Sequence, residues 1–264
     1  MKLNCDLGEL PYSANAQDTS LNTQHREPHP DQQIMPLIDM ANIACGGHAG
    51  DKDSMSGAVQ LAKAHQVMIG AHPSYPDKEN FGRISMALSK QQLQHSLNQQ
   101  IHALLHQCEQ HQTELCYVKP HGALYNDMMQ DLRLFADICE TVALFNQQHG
   151  CQLTLMLQAL VDNQLHQAIA TEHNIEVIYE AFADRAYNPD GSLVSRKENG
   201  AVLHERQHIK RRVQQLIIHQ EIQTHDAQII KIKADSLCVH GDNPQAIAIV
   251  KSLRRLINDL HEQQ

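Results

Sequence analysis

The sequence predicts an α/β fold: one (β/α) barrel domain over residues 1–264, built from about seven strands. Three observations predict it. Short apolar runs alternate with longer amphipathic stretches, giving about seven strand–helix units, the pattern of a parallel sheet. A length of 264 residues suits one closed barrel. No linker, low-complexity tract or composition break divides the chain. A doubly wound open sheet is the alternative architecture. No G-x-G-x-x-G follows the first strand, which weakens a dinucleotide site.

The elements follow in order. Leu3 to Asp6 reads as the first strand, Ile34 to Met40 as a helix and Ala41 to Cys45 as the second strand. Asp51 to His65 is helical, with Met55, Val59 and Ala62 on one face. Val67 to Ala71 is the third strand. Ser89 caps a long helix that runs to about His111, and Gln92 three residues on completes a capping box. Leu115 to Lys119 is a strand and about Met129 to His149 a helix. Leu153 to Leu157 is a strand, Leu160 to His173 a helix and Ile175 to Glu180 a strand. A long polar segment runs from Phe182 to about Val202, followed by a helix to about His219. Ile222 to Lys233 alternates and reads as a small hairpin or an added strand. Leu237 to His240 is the final strand. Asn243 as N-cap and Pro244 at the first helical position open the last helix.

Composition excludes several classes. The net charge of -9 and a pI near 6.1 argue against a nucleic-acid surface. Lys210-Arg211-Arg212 falls in a helical pattern and reads as a solvated face. No apolar stretch approaches the ~20 residues of a membrane span, and Asp6 interrupts the N-terminus too early for a signal peptide. The seven cysteines form no C-x-x-C pair, so a reducing, cytoplasmic setting is expected. Among 19 histidines, the pairs His102/His106 and His204/His208 have helical metal-site spacing, but in Gln- and His-rich stretches they read as polar decoration. Histidines at strand ends carry more weight.

Polar residues fall after nearly every strand. Asp6 and Glu9 follow the first, His48 and Asp51 the second, and His72 and Asp77 the third. Lys119, His121 and Tyr125 follow the fourth, Gln158 the fifth, and Glu180, Asp184 and Arg185 the sixth. His240 and Asp242 follow the last. In α/β barrels this end builds the active site. The glycines of "CGGHAGD" permit close approach to the backbone there, and His48 sits beside a helix start whose free N–H groups favour an anion. Two chemistries fit. Asp6, His72 and His121 can converge on a divalent metal that polarises a carbonyl and activates water. Alternatively, Asp6 or Glu9 is a general base, the histidines serve as acid and orienter, and Lys119 with Arg185 stabilises an oxyanion or carboxylate. Both describe hydrolytic attack on an amide-like carbonyl. Asp184 and Arg185 can equally form an ion-pair brace for the long loop. No phosphate loop and no G-x-S-x-G elbow occur.

The stretches "LNCDLGE", "ANIACGGHAGD", "IGAHPSYPD" with "FGR", "VKPHGALYN", "FADRAYNPDGSLV" with "GAV", and "LCVHGDNP" resemble the LamB/YcsF family, the family of 5-oxoprolinase A subunits. They occur in family order over nearly the whole chain. Three departures stand out: Cys5 for a common alanine, Leu10 for a usual glycine, and Gly47 for a common phenylalanine, which widens the loop beside His48. The resemblance implies ATP-dependent ring opening of 5-oxo-L-proline (pyroglutamate) to L-glutamate, carried out with B and C partner subunits. It also implies a seven-stranded barrel like that of the carbohydrate deacetylases. With no phosphate loop in this chain, ATP is expected to be bound by the partners. The competing expectations are a stand-alone metal-dependent carbohydrate deacetylase and a non-catalytic subunit that presents substrate to a partner.

Overall fold

A closed barrel of seven parallel strands organises the computed structural model, which describes residues 1–12, 28–239 and 245–262. Its first six strands are β1 (Lys2–Leu7), β2 (Met40–Ala44), β3 (Met68–His72), β4 (Leu115–Val118), β5 (Thr154–Gln158) and β6 (Val177–Phe182). A separate antiparallel pair, β7 (Glu221–Gln223) with β8 (Ile229–Lys231), is the hairpin expected from the alternation. The last strand, β9 (Ser236–Val239), pairs with both β6 and β1 and closes the ring. The helices are α1 (Pro30–Ile34), α2 (Lys52–His65), α3 (Lys90–Gln110), α4 (Gly122–Gln130), α5 (Leu132–His149), α6 (Gln164–Glu172), α7 (Arg206–His219) and α8 (Ala246–His261). No helix among the described residues is long and apolar enough to cross a membrane.

Each barrel strand divides its residues by alternation. On β1, Leu3, Cys5 and Leu7 join the apolar layer beneath the helices. Asn4 and Asp6 bond to side chains on the neighbouring strands, Asn4 to Ser236 of β9 and Asp6 to Asn42 of β2. The helices bury one stripe each. On α8, Ile249, Val250, Leu253, Leu256 and Ile257 are buried, each worth about 1.5–3 kcal/mol of transfer free energy. The lumen changes character along its axis. Met40, Tyr117 and Met156 form a small apolar cluster with Met68 and Ile178 against it. Two residues further along the chain from these stand Asn42, Lys119, Gln158, Gly70 and Glu180. The lumen is thus apolar at its floor and polar toward the carboxyl ends.

Three expected elements differ from those observed. The helix expected over Ile34 to Met40 lies earlier, at Pro30–Ile34, with a 3₁₀ turn over Met35–Leu37. Pro36 has no N–H for the next helical bond, and Met40 pairs with Asn4 and Met68 in the sheet. The helix expected from about Met129 is two helices. Asp131 ends α4 in an extended conformation (φ −113°, ψ 103°) and caps α5, accepting from the N–H groups of Arg133 and Leu134. That local cap competes with a continuous ladder. α6 begins at Gln164 rather than Leu160, because the Asn163 side chain instead binds the Leu160 N–H and the Gln158 carbonyl. The capping box of Ser89 with Gln92 is present. The Asn243–Pro244 helix start lies outside the described residues.

Candidate active site

The loops after β1, β2, β3 and β4 bring four side chains to one point. One ligand-capable atom each from Glu9, His48, His72 and His121 lies within 4.8 Å of the others. His72 ends β3, and His121 follows Pro120 just beyond β4. The His121 N–H donates to the Pro73 carbonyl at 2.8 Å, and the Ala123 N–H to the Gly82 carbonyl at 2.9 Å, which ties the two loops together. Gly82 has φ +62°, and a Cβ there would stand 2.9 Å from the His48 Cβ, so glycine is needed where the loops converge.

Backbone carbonyls fix which ring nitrogens carry hydrogen. His72 Nδ1 lies 2.7 Å from the Lys119 carbonyl, and His121 Nε2 lies 3.1 Å from the Phe81 carbonyl. Carbonyls only accept, so both nitrogens are donors. The remaining nitrogens, His72 Nε2 and His121 Nδ1, then face each other at 2.9 Å with lone pairs. That contact is repulsive unless a proton or a metal ion lies between or beside them. His48 stacks on His121 with ring centroids 3.7 Å apart, and neither of its ring nitrogens has a hydrogen-bond partner among the described residues. Glu9 Oε1 lies 3.5 Å from His48 Nε2. Burial and neighbouring imidazoles lower the His121 pKa well below the usual value, and burial lowers that of His48. Imidazole lone pairs converging beside a carboxylate are the donor set of a divalent cation, and ligating imidazoles usually donate their other N–H to a carbonyl or carboxylate, as His72 and His121 do. The residues present therefore fit a metal.

The converging set is not the one expected. The sequence points to Asp6 as a ligand with His72 and His121. Its Oδ2 does lie 3.5 Å from His72 Nε2. But its Oδ1 accepts from Lys119 Nζ at 3.0 Å and from Asn42 Nδ2 at 2.7 Å, and Glu9 and His48 take its place in the cluster. One oxygen of Asp6 thus pairs with a buried cation while the other faces His72.

That cation is the centre of a second network. Lys119 Nζ lies 2.9 Å from Glu180 Oε1, and Tyr125 donates to Glu180 Oε2 at 3.0 Å. Tyr117 donates to Asn42 at 2.7 Å, and Asn42 to Asn4 at 2.8 Å. Burial disfavours the ammonium, but Asp6 and Glu180, with Cys238 beside them, more than offset it and raise the Lys119 pKa well above that of an ordinary lysine. The lysine is a fixed positive charge. Asn4 and Asn42 are absent from the residues singled out by sequence. Their signal was there: an asparagine inside the apolar runs "KLNCDL" and "MANIA" has to find partners once buried.

A cleft of about 780 Å³ opens over this floor, lined by Asp6, Glu9, His72, Lys119 and His121 and walled by Phe182 and the loop after β6. Arg185 lines the cleft, but its guanidinium braces the loop: Nε donates to the Ala201 carbonyl at 3.2 Å and Nη2 to the Val194 carbonyl at 2.6 Å. Asp184 is fully buried and away from the cleft wall. Asp51 caps α2 through Ser54, so its carboxylate already occupies that helix start. His240 and Asp242 lie outside the described residues. Replacing Arg185 with alanine strands the Val194 carbonyl and leaves the Ala201 carbonyl with the Ala186 N–H alone, and should cost about 1–3 kcal/mol. The expected result is faster proteolysis within residues 195–200, with KM changed more than kcat.

The sequence pattern of the LamB/YcsF family matches residues 1–263. A protein from Vibrio cholerae serotype O1, named as the A subunit of 5-oxoprolinase, is 41% identical over 261 residues, covering 98% of each chain. One from Pseudomonas aeruginosa, named as 5-oxoprolinase A subunit number 3, is 42% identical over 258 residues, covering 98% of this chain and 96% of the relative. Among solved structures, a lactam utilization protein from Thermus thermophilus superposes with a TM-score of 0.81 at 30% identity, over 99% of this chain and 97% of that one.

Proposed function

This chain belongs to the LamB/YcsF family, and from that premise we propose that it is a hydrolase of cyclic amides, the A subunit of a 5-oxoprolinase. It opens 5-oxo-L-proline to L-glutamate in the cytoplasm, together with B and C subunits that bind ATP. One observation carries the chemistry: Glu9, His48, His72 and His121 converge, and three of them, Glu9, His72 and His121, line the cleft together with Lys119.

A lactam carbonyl is a poor electrophile, and its hydrolysis requires charge stabilisation at oxygen and a proton for the leaving nitrogen. Glu9, His48, His72 and His121 would hold a divalent ion, which supplies Lewis acidity at a carbonyl and acidifies water. The protein's own groups do the rest. Lys119, held by Asp6 and Glu180, presents a positive charge that cannot swing away, suited to the substrate carboxylate or to the oxyanion. Asp6 Oδ2, 3.5 Å from His72 Nε2, turns toward the same point as the imidazole lone pairs. Phe182 supplies an apolar wall against the ring methylenes and helps exclude water.

A second reading rests on the 2.9 Å contact between His72 and His121. One proton shared there makes the pair an acid for the ring nitrogen, with Glu9 as the base toward water. The deciding experiment measures glutamate release from 5-oxoproline by the purified chain, with and without ATP and the B and C subunits, before and after chelation. The account expects activity only with ATP and partners, lost on chelation and restored by a divalent ion. Full activity after verified metal removal favours the proton-sharing pair. Release of acetate from N-acetylated sugars without ATP would replace the whole reading with a deacetylase.

A further inference from the structure

Gly47 precedes His48 in the loop after β2, and its role is spatial. A Cβ built there would lie 2.2 Å from Gln100 Oε1 and 2.5 Å from Ser74 Oγ. At such distances a neighbour has to shift, and the Gln100 amide is tied down by three hydrogen bonds. The room that glycine leaves is filled by an amide from α3, a helix on the outside of the barrel. Gln100 is buried. Its Oε1 accepts the Ser74 N–H at 2.9 Å, and its Nε2 donates to the Ser74 carbonyl at 2.8 Å and to Ser96 Oγ at 3.1 Å. The side chain pairs with one residue's main chain at two points, as a neighbouring strand would.

Ser74 sits two residues after His72. Between them, the Pro73 carbonyl accepts the His121 N–H. The clamp therefore acts on the segment that sets His72 and, through Pro73, the start of the His121 loop. Its outer edge lies against the Gly47 backbone, one residue from His48. A single amide acts on all three imidazole-bearing loops without reaching the cleft.

We propose that Gln100 is a positioning residue for the imidazole cluster, and that Gly47 is its obligatory partner. This rests on the metal reading above for its ligand, and the test separates the two. Zinc affinity is measured by competition titration for the wild type, Gly47→Ala, Gln100→Ala, Gln100→Glu and the Gly47→Ala/Gln100→Ala double variant, with thermal unfolding as the control for fold. Losses of about 10–100-fold are expected for each single alanine variant. Gln100→Glu keeps one acceptor for the Ser74 N–H and should fall between wild type and Gln100→Ala. In the double variant the Gly47→Ala penalty should shrink, because the Gln100 amide is gone and only Ser74 Oγ, 2.5 Å from the added Cβ, is left to give way. The loss in the double is then clearly smaller than the product of the two single losses, a coupling that independent sites do not show. Losses that multiply in the double, or wild-type affinity in Gln100→Ala, overturn the proposal. If the wild type itself binds no zinc, the metal reading fails and the clamp is judged by the ¹⁵N imidazole signals of His48 and His72. Those signals shift in both single variants if the clamp positions them and stay unmoved if it does not.

Discussion

His121→Ala should lower glutamate formation by the reconstituted complex about 10³-fold, within the range of losses expected for a positioned acid–base or ligand group. The residue does three things at once. Its Nδ1 faces His72 Nε2, its ring stacks on His48, and its Nε2 is anchored to the Phe81 carbonyl. Alanine removes one of two facing lone pairs and frees the other imidazoles to turn. The fold should survive, because the main-chain bond from His121 to Pro73 does not involve the side chain. Steady-state kinetics with a thermal unfolding curve checks this. A rate within fivefold of wild type, in folded protein, would show that the cluster is not the reacting site.

Lys119→Met should be the most destabilising single change in the lumen. It removes the cation and leaves Asp6 and Glu180 as buried like charges. Breaking a buried ion pair from one side costs about 3–5 kcal/mol, which for a chain of this size lowers Tm by roughly 6–20 °C. Glu180 is the sharper partner: its side chain is 0% exposed against 8% for Asp6. Glu180→Gln in the Lys119→Met background should recover part of the loss. A Lys119→Met Tm equal to wild type would mean that the carboxylates are already neutral and that the charged floor described above is wrong.

Much of the barrel was legible because its signals are local. Alternating apolar runs, the Ser89 capping box and the "AQIIKIKA" alternation each lie within a few residues. The misplaced elements turned on competition that only three-dimensional structure resolves. Met40 reads as helical until the sheet register claims it, and Asp131 reads as a point on a helix until its side chain caps the next one. In the site, residue types and loops were legible, but partnerships were not. That Asp6 would pair with Lys119, leaving Glu9 and His48 to join the other imidazoles, depends on side-chain distances between strands far apart in sequence. Arg185 shows the same limit. Its charge suggests a ligand for an anion, and two main-chain carbonyls hold it instead.

The most direct test of the central claim is anomalous diffraction from crystals of this chain grown with a divalent transition metal, recorded at that metal's absorption edge. The account predicts a peak about 2.0–2.2 Å from a Glu9 oxygen, His72 Nε2, His121 Nδ1 and a His48 nitrogen. A fully occupied peak elsewhere, or none at this point in crystals whose histidines keep these positions, would contradict it.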